Sequence, residues 1–159
     1  MRRKDREVTD PEQIKRILDG CKTCHLAMAD NGTPYVVPLN YAYTMEGGAI
    51  TLFFHSAKEG RKIGILRRND AVCFEMCIEG ELVHPSESPC DSGYYFSSII
   101  GFGRAMFVDD IDEKRSALSL LVKQQLGADA DFTPAQAESV CVFKVVSTDF
   151  TGKMKPRPS

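Results

Sequence analysis

A chain of 159 residues, 43% apolar and 26% charged, has the size and composition of one globular domain and lies far from disordered, collagen-like or membrane-spanning compositions. Its 20 basic and 22 acidic residues leave a formal charge of -2, so no overall field draws it to nucleic acid or an anionic membrane, and any anion site must be local. The basic start Met1-Arg2-Arg3-Lys4 runs into Asp5-Arg6-Glu7 where a signal peptide needs an apolar stretch, so a cytoplasmic protein with reduced cysteines is expected.

In chain order, Asp10-Pro11-Glu12-Gln13 supplies an N-cap, a first-turn proline and a capping-box glutamine ahead of Ile14, Ile17 and Leu18, which share a helical face. The helix should run to about Leu18 and stop at Gly20. Thr23 to Ala29 and Tyr35 to Tyr43 have strand character, and Asp30-Asn31-Gly32 between them makes a hairpin. After the turn Glu46-Gly47-Gly48, a strand covers Ala49 to Phe54 and a short basic helix covers Gly60 to Leu66. Ala71 to Ile78 is the next strand, and the polar stretch Glu79 to Ser92 reads as a loop.

Tyr94 to Val108 is a long aromatic strand in which Gly101 and Gly103 mark a bulge or a close backbone approach. Asp112 is placed as the cap of the longest helix, whose stripe of Ala117, Leu118, Leu121, Val122 and Leu126 ends at Gly127. Thr133-Pro134 opens a further short helix, and Val140 to Val146 is a last core strand. Strands in hairpin-like succession, at least six of them, favour a mainly β antiparallel barrel with peripheral helices, a single domain over residues 1–159.

Several motifs fall away on inspection. Cys21-Lys22-Thr23-Cys24-His25 has the spacing of c-type haem attachment, yet it bridges a helix end and a strand, where packed thiols are the simpler reading. A redox pair would sit at a helix N-terminus, which lowers a thiol pKa, and this one follows a C-terminus. Cys73 and Cys77 lie about 13 Å apart at strand rise, too far for one tetrahedral zinc ion, so no metal site is expected. Gly101-Phe102-Gly103 lacks the third glycine and the helix of a dinucleotide fingerprint.

His55-Ser56-Ala57-Lys58-Glu59-Gly60-Arg61-Lys62 carries more. A strand end, a hydroxyl, three cations (Lys58, Arg61, Lys62) and a helix start gathered in so short a span can cradle a phosphate. On local chemistry alone, a solvated basic loop fits equally well.

That octapeptide resembles the signature of the Nim-like, 5-nitroimidazole-resistance branch of the pyridoxamine 5'-phosphate oxidase-related FMN-binding split-barrel family. Pro34-Tyr35-Val36-Val37-Pro38-Leu39-Asn40-Tyr41 is similar to that family's second strand, and Ser97-Ser98-Ile99-Ile100-Gly101-Phe102-Gly103-Arg104-Ala105 to its long strand. The resemblance continues in order to Phe143-Lys144-Val145 and Thr151-Gly152-Lys153. It implies a six-stranded antiparallel split β-barrel acting as a homodimer, with FMN at the subunit interface.

By the same resemblance, Arg61 and Lys62 hold the FMN phosphate with help from Ser56, Ala57, Lys58 and the Gly60 backbone. Pro38, Leu39, Asn40 and Tyr41 run beside the flavin ring, and Ser98 and Gly101 approach it from a neighbouring strand of the partner. His55 is placed as a proton donor or substrate contact. The implied activity is FMN-dependent reduction of a nitroaromatic, 5-nitroimidazole-like compound. A non-catalytic flavin binder or electron carrier, or a haem-binding split barrel, are the alternatives. Substrate choice is assigned to the loop Glu79 to Ser92, with His84 and Cys90. Nothing resembles the pyridoxal-phosphate recognition pattern of true pyridoxamine-phosphate oxidases.

Overall fold

The computed structural model describes residues 2–83 and 92–155. Its strands are β1 (Glu7–Val8), β2 (Thr23–Asp30), β3 (Thr33–Asn40), β4 (Ala42–Glu46), β5 (Ala49–Ser56), β6 (Ala71–Val83), β7 (Gly93–Phe107) and β8 (Cys141–Lys155). The helices are α1 (Pro11–Gly20), α2 (Arg61–Arg68), α3 (Ile111–Leu126) and α4 (Pro134–Glu138).

All eight strands join one antiparallel sheet in the order β3-β2-β6-β7-β8-β5-β4, with β1 added to the end of β8. The two terminal strands of that path, β3 and β4, are separated in the chain by Tyr41 alone. A sheet whose first and last strands are covalent neighbours must curl on itself, and β3 accordingly packs beside β5. The architecture is the expected mainly β split barrel. Six strands have eight residues or more, and the two extra ones, β1 and β4, are short.

Curling gives each strand an inner and an outer face. Along β2, Cys24, Leu26 and Met28 point inward and His25 outward, the period-2 alternation of a half-buried strand. Leu52, Phe54, Phe74, Met76, Ile99 and Phe143 fill the interior, with the Phe54 and Phe143 rings stacked 5.1 Å apart. A second, smaller core lies outside the barrel, where Ala117, Leu118 and Leu121 of α3 cover Ala42 and Val142. The β2–β3 turn is tight because Asn31 (φ 50°) and Gly32 (φ 86°) supply the positive φ pair that matches strand twist.

The structure corrects several element boundaries. Tyr35 to Tyr43 is two strands, because the chain leaves one end of the sheet at Tyr41 and enters the other. The cap of α3 is Asp110, whose carboxylate accepts from the Glu113 N–H at 2.8 Å; Asp112 lies in the first turn, where its charge suits the helix dipole. Strand β6 continues through Glu79 to Val83, which the polar composition hid, since these residues pair with β7 on a solvent-facing extension. The remainder of that loop, with His84 and Cys90, lies outside the described residues. Strand β8 runs to Lys155 because it pairs with β5 first, β7 along most of its length and β1 near its end. The register shift between β7 and β8 places Gly103 opposite two β8 residues, so the extra residue is in β8 and Gly103 marks a close approach, to Val145 and the Val146 backbone.

Candidate functional site

The segment from His55 to Lys62 closes strand β5 and opens helix α2. Ser56 is the last strand residue, paired with Cys141, and its hydroxyl donates to the Ala57 carbonyl at 2.8 Å. Gly60, the residue before α2, has φ 134°, a conformation that residues with a side chain rarely adopt, and open space where a Cβ would stand.

Helix α2 differs from the others at this end. Asp10, Asp110 and Thr133 cap α1, α3 and α4 with side-chain oxygens, while the start of α2 has no side-chain cap and no acid in its first turn. Its first amides and positive dipole end are therefore uncompensated by any side-chain anion, with Lys58, Arg61 and Lys62 around them. Such a set fits a phosphate.

The three cations are held differently. Arg61 lays its guanidinium 4.4 Å from the centre of the Tyr35 ring, and its Nε is 3.5 Å from Asp30. Asp30 also accepts from Arg68 at 2.9 Å, so one carboxylate ties α2 to the β2–β3 hairpin. Lys58 is 4.0 Å from Glu138, a long and exposed pair. Lys62 is half-buried and has no ion pair among the described residues. His55 is exposed, and its ring has no hydrogen-bond partner among the described residues.

On β3, Pro38 and Asn40 point outward and Leu39 packs against the core. The Asn40 amide donates to the Lys22 carbonyl at 3.0 Å and to the Gln125 side chain at 3.2 Å. Tyr41 is wholly buried with its hydroxyl donating to the Leu18 carbonyl at 2.7 Å, and its own carbonyl accepts from Gln125 at 2.7 Å. Tyr41 is thus closed off, side chain and carbonyl alike, and Gln125 clamps the Asn40–Tyr41 corner to α3. Burial raises the Tyr41 phenol well above its usual range. Because β3 ends the sheet, one row of its backbone groups faces away from β2, which also explains why two prolines are tolerated there.

Ser98 and Gly101 belong to β7, separated from β3 by β2 and β6. Three strand spacings amount to roughly 14 Å along the sheet, so one chain does not bring them to the Pro38–Tyr41 segment. Gly101 faces inward, and a Cβ there would overlap the Phe74 ring, so its smallness makes room for the core. The outer face of the same strand carries Ile100, Phe102 and Met106, with Phe102 56% exposed, and Val36 of β3 is 57% exposed. Between β3 and β7 on that face lies a His25–Glu75 pair at 3.0 Å.

Asp30, Tyr35, Gln125, His25 and Glu75 were not anticipated from sequence. The cysteines among the described residues are free; Cys21 and Cys24 are buried. Burial, aided by Cys77 and Glu75, pushes the Cys21 thiol up to about 11, and burial raises Cys24 further. No cluster of potential metal ligands occurs among the described residues, and none of their helices is long and apolar enough to cross a membrane.

A curled antiparallel barrel with an anion-ready helix start at its rim defines a split-barrel protein. Residues 10–154 match the pyridoxamine 5'-phosphate oxidase family model, and the chain belongs to that family. Among solved structures it is similar to a candidate 5-nitroimidazole antibiotic resistance protein from Bacteroides thetaiotaomicron VPI-5482, with 30% identity over 93% of this chain and 86% of that one, TM-score 0.81. The flavocytochrome Anf3 from Azotobacter vinelandii shares the fold at 22% identity over 99% of this chain and 73% of that one, TM-score 0.80. So does an FAD-binding protein from Mesorhizobium loti at 23% identity, 95% and 98% coverage and TM-score 0.68. No curated protein matches the chain.

Proposed function

We propose that this protein is an FMN-dependent oxidoreductase that works as a homodimer and reduces small electron-poor substrates of the nitroaromatic, 5-nitroimidazole-like class. The observation that carries the reading is the uncapped start of α2, where the first amides lie beside Gly60 with open space at its Cβ position and Arg61 and Lys62 follow in the first turn. The likeness to the Bacteroides protein supports the substrate class.

Bound flavin supplies the electron transfer. Arg61 and Lys62 bind the phosphate by charge-assisted hydrogen bonds, and Ser56 and the first amides of α2 orient it. The free edge of β3 at Pro38–Asn40 offers backbone groups to the polar edge of the ring, with Gln125 fixing the Asn40–Tyr41 corner. His55 holds a proton close to where substrate would lie and releases it as the nitro group is reduced toward the amine. Ser98 reaches the site from the partner, and the exposed apolar row of Ile100, Phe102 and Met106 gives the partner a surface to cover.

The absorption spectrum of the purified protein, with mass spectrometry of what heat releases, tests the cofactor. FMN at one per chain is expected, and Arg61→Ala with Lys62→Ala should lower its affinity by about a hundredfold or more, two charge-assisted contacts being lost, with the fold unchanged. A sharp Soret band in place of flavin bands would point to haem. A colourless protein that refuses FMN would sink the reading. Consumption of a 5-nitroimidazole under anaerobic, reducing conditions separates an enzyme from a flavin carrier.

A further inference from the structure

A cavity of about 360 Å³ opens between α2, α3 and the start of β8, on the far side of α2 from the Asp30–Arg61 contact. Three cations line it: Lys58 from the loop before α2, Arg67 from the last turn of α2, and Lys114 from α3. Phe107 and Val142 contribute apolar wall, and Cys141 lies within it. Its volume is in the range of small-ligand sites.

Lys114 is the telling residue. Its side chain is only 10% exposed, and its one described partner is Glu138, at a long 3.4 Å. It stands one turn into α3, near the positive end of that helix dipole, where a cation is disfavoured. Burial among apolar residues adds to the cost of its charge. Arg67 has no carboxylate partner among the described residues and is held 5.8 Å from the Phe107 ring centre. The Cys141 thiol is pushed up by its burial, while Arg67, Lys114 and Lys62 all pull it down, so three positive fields converge there.

Against these cations stand Asp109, on the cavity wall, and Glu138, at its rim. Glu138 is itself exposed and both its contacts are long, at 3.4 Å to Lys114 and 4.0 Å to Lys58, so an incoming anion that takes its place beside Lys114 can displace it. With Glu138 displaced, the cavity carries an excess of two positive charges, which matches a phosphate dianion.

We propose that this cavity is a second anion site, built for a phosphoryl group and distinct from the Arg61–Lys62 cradle. The phosphoryl group is that of a separate phosphate monoester, because the second phosphorus of a dinucleotide flavin is joined to the first through one oxygen, stays beside it and carries a single charge. Such a monoester presents a dianion to Arg67 and Lys114. The site does not require that flavin be bound in the cradle.

Protection of Cys141 from iodoacetamide, read by peptide mass spectrometry on the full chain with inorganic phosphate titrated in, tests it. Phosphate should slow labelling saturably, and Arg67→Gln or Lys114→Gln should each weaken its apparent affinity about tenfold, one charge-assisted contact being lost. Arg61→Ala alone, which spares the Lys62 charge felt at Cys141, should leave protection in place. If Lys114→Gln does not fold, Arg67→Gln decides alone, because that side chain is exposed.

Protection by FAD where FMN gives none would overturn the second site, by making the cavity part of a dinucleotide flavin's own pocket. Protection by phosphate with both flavins inert would identify a separate compound. Absence of protection at millimolar phosphate, or its loss in the Arg61→Ala variant, overturns the second site. Protection by FMN alone overturns it too, by making the cavity the flavin's own phosphate pocket. A chain that takes up no flavin yet is protected by phosphate would refute the flavin reading and keep this one.

Discussion

The two faces of β7 invert the usual rule for a half-buried strand. Inward lie Ile99, Gly101 and Ala105; outward lie Ile100, Phe102 and Met106, so the bulkier row faces out. The inward positions are small because Phe74 and Phe150 already fill the space beside Gly101, and Val145 crowds Gly103. The outer row is apolar except for Arg104, which pairs with Asp70 at 2.6 Å, and its apolar members have no such neighbours to fill against. Stability therefore resides on the inner face, the proposed association would use the outer one, and the two can be broken separately.

The largest effect should come from inside. Phe143 stacks on Phe54 and meets Phe107 at 6.4 Å, so Phe143→Ala should lower unfolding free energy by about 3–5 kcal/mol in urea denaturation. A loss under about 1 kcal/mol would mean that the barrel can collapse around the missing ring.

The inner face also carries a pH signature. Cys21 and Cys24 are protonated in the fold beyond their ordinary titration range, with Cys21 raised to about 11. The folded state then binds more protons than the unfolded one above the ordinary thiol pKa. Stability should be flat up to about pH 8.5, then fall by about 1.4 kcal/mol per pH unit for each thiol held protonated, as pH rises toward the folded value. Denaturation midpoints at neutral and alkaline pH would show this, and Cys21→Ala should flatten the fall.

On the outer face the expected change is in assembly. Ile100→Lys with Phe102→Lys should leave each subunit's stability within about 0.5 kcal/mol, as surface substitutions do. Sedimentation should nevertheless shift from dimer to monomer. Retention of the dimer would place the subunit contact elsewhere.

Much of this was legible in the sequence, for reasons tied to particular residues. Asp10-Pro11, Asn31-Gly32 and Thr133-Pro134 act locally, and the elements they mark stand where expected. The His55–Lys62 cluster is contiguous, so its gathering at one rim needs no tertiary information. What escaped depends on long-range contact. Gln125 reaches Asn40 and Tyr41 across 85 and 84 positions, and nothing in its neighbourhood signals that. The short β1 exists only because β8 offers it an edge. The outer row of β7 was visible in principle, since Ile-Gly-Phe-Gly alternates large with small, but sequence alone does not say which set faces in.

The smallest predicted effect concerns Asp30, where the two sides of α2 differ most. On one side Asp30 draws Arg61 and Arg68 together; on the other, Lys58, Arg67 and Lys114 face a cavity with Asp109 as its one carboxylate wall. Removing the Asp30 charge should therefore act on the cradle and spare the cavity. Asp30→Asn frees Arg61 from a contact that competes with phosphate, so FMN affinity should rise about threefold while stability falls by under about 1 kcal/mol, the usual worth of exposed pairs. The gain should shrink with added salt, since it is electrostatic and solvent-exposed. A fall in FMN affinity would instead mean that Asp30 is needed to hold Arg61 in its phosphate-facing position over Tyr35.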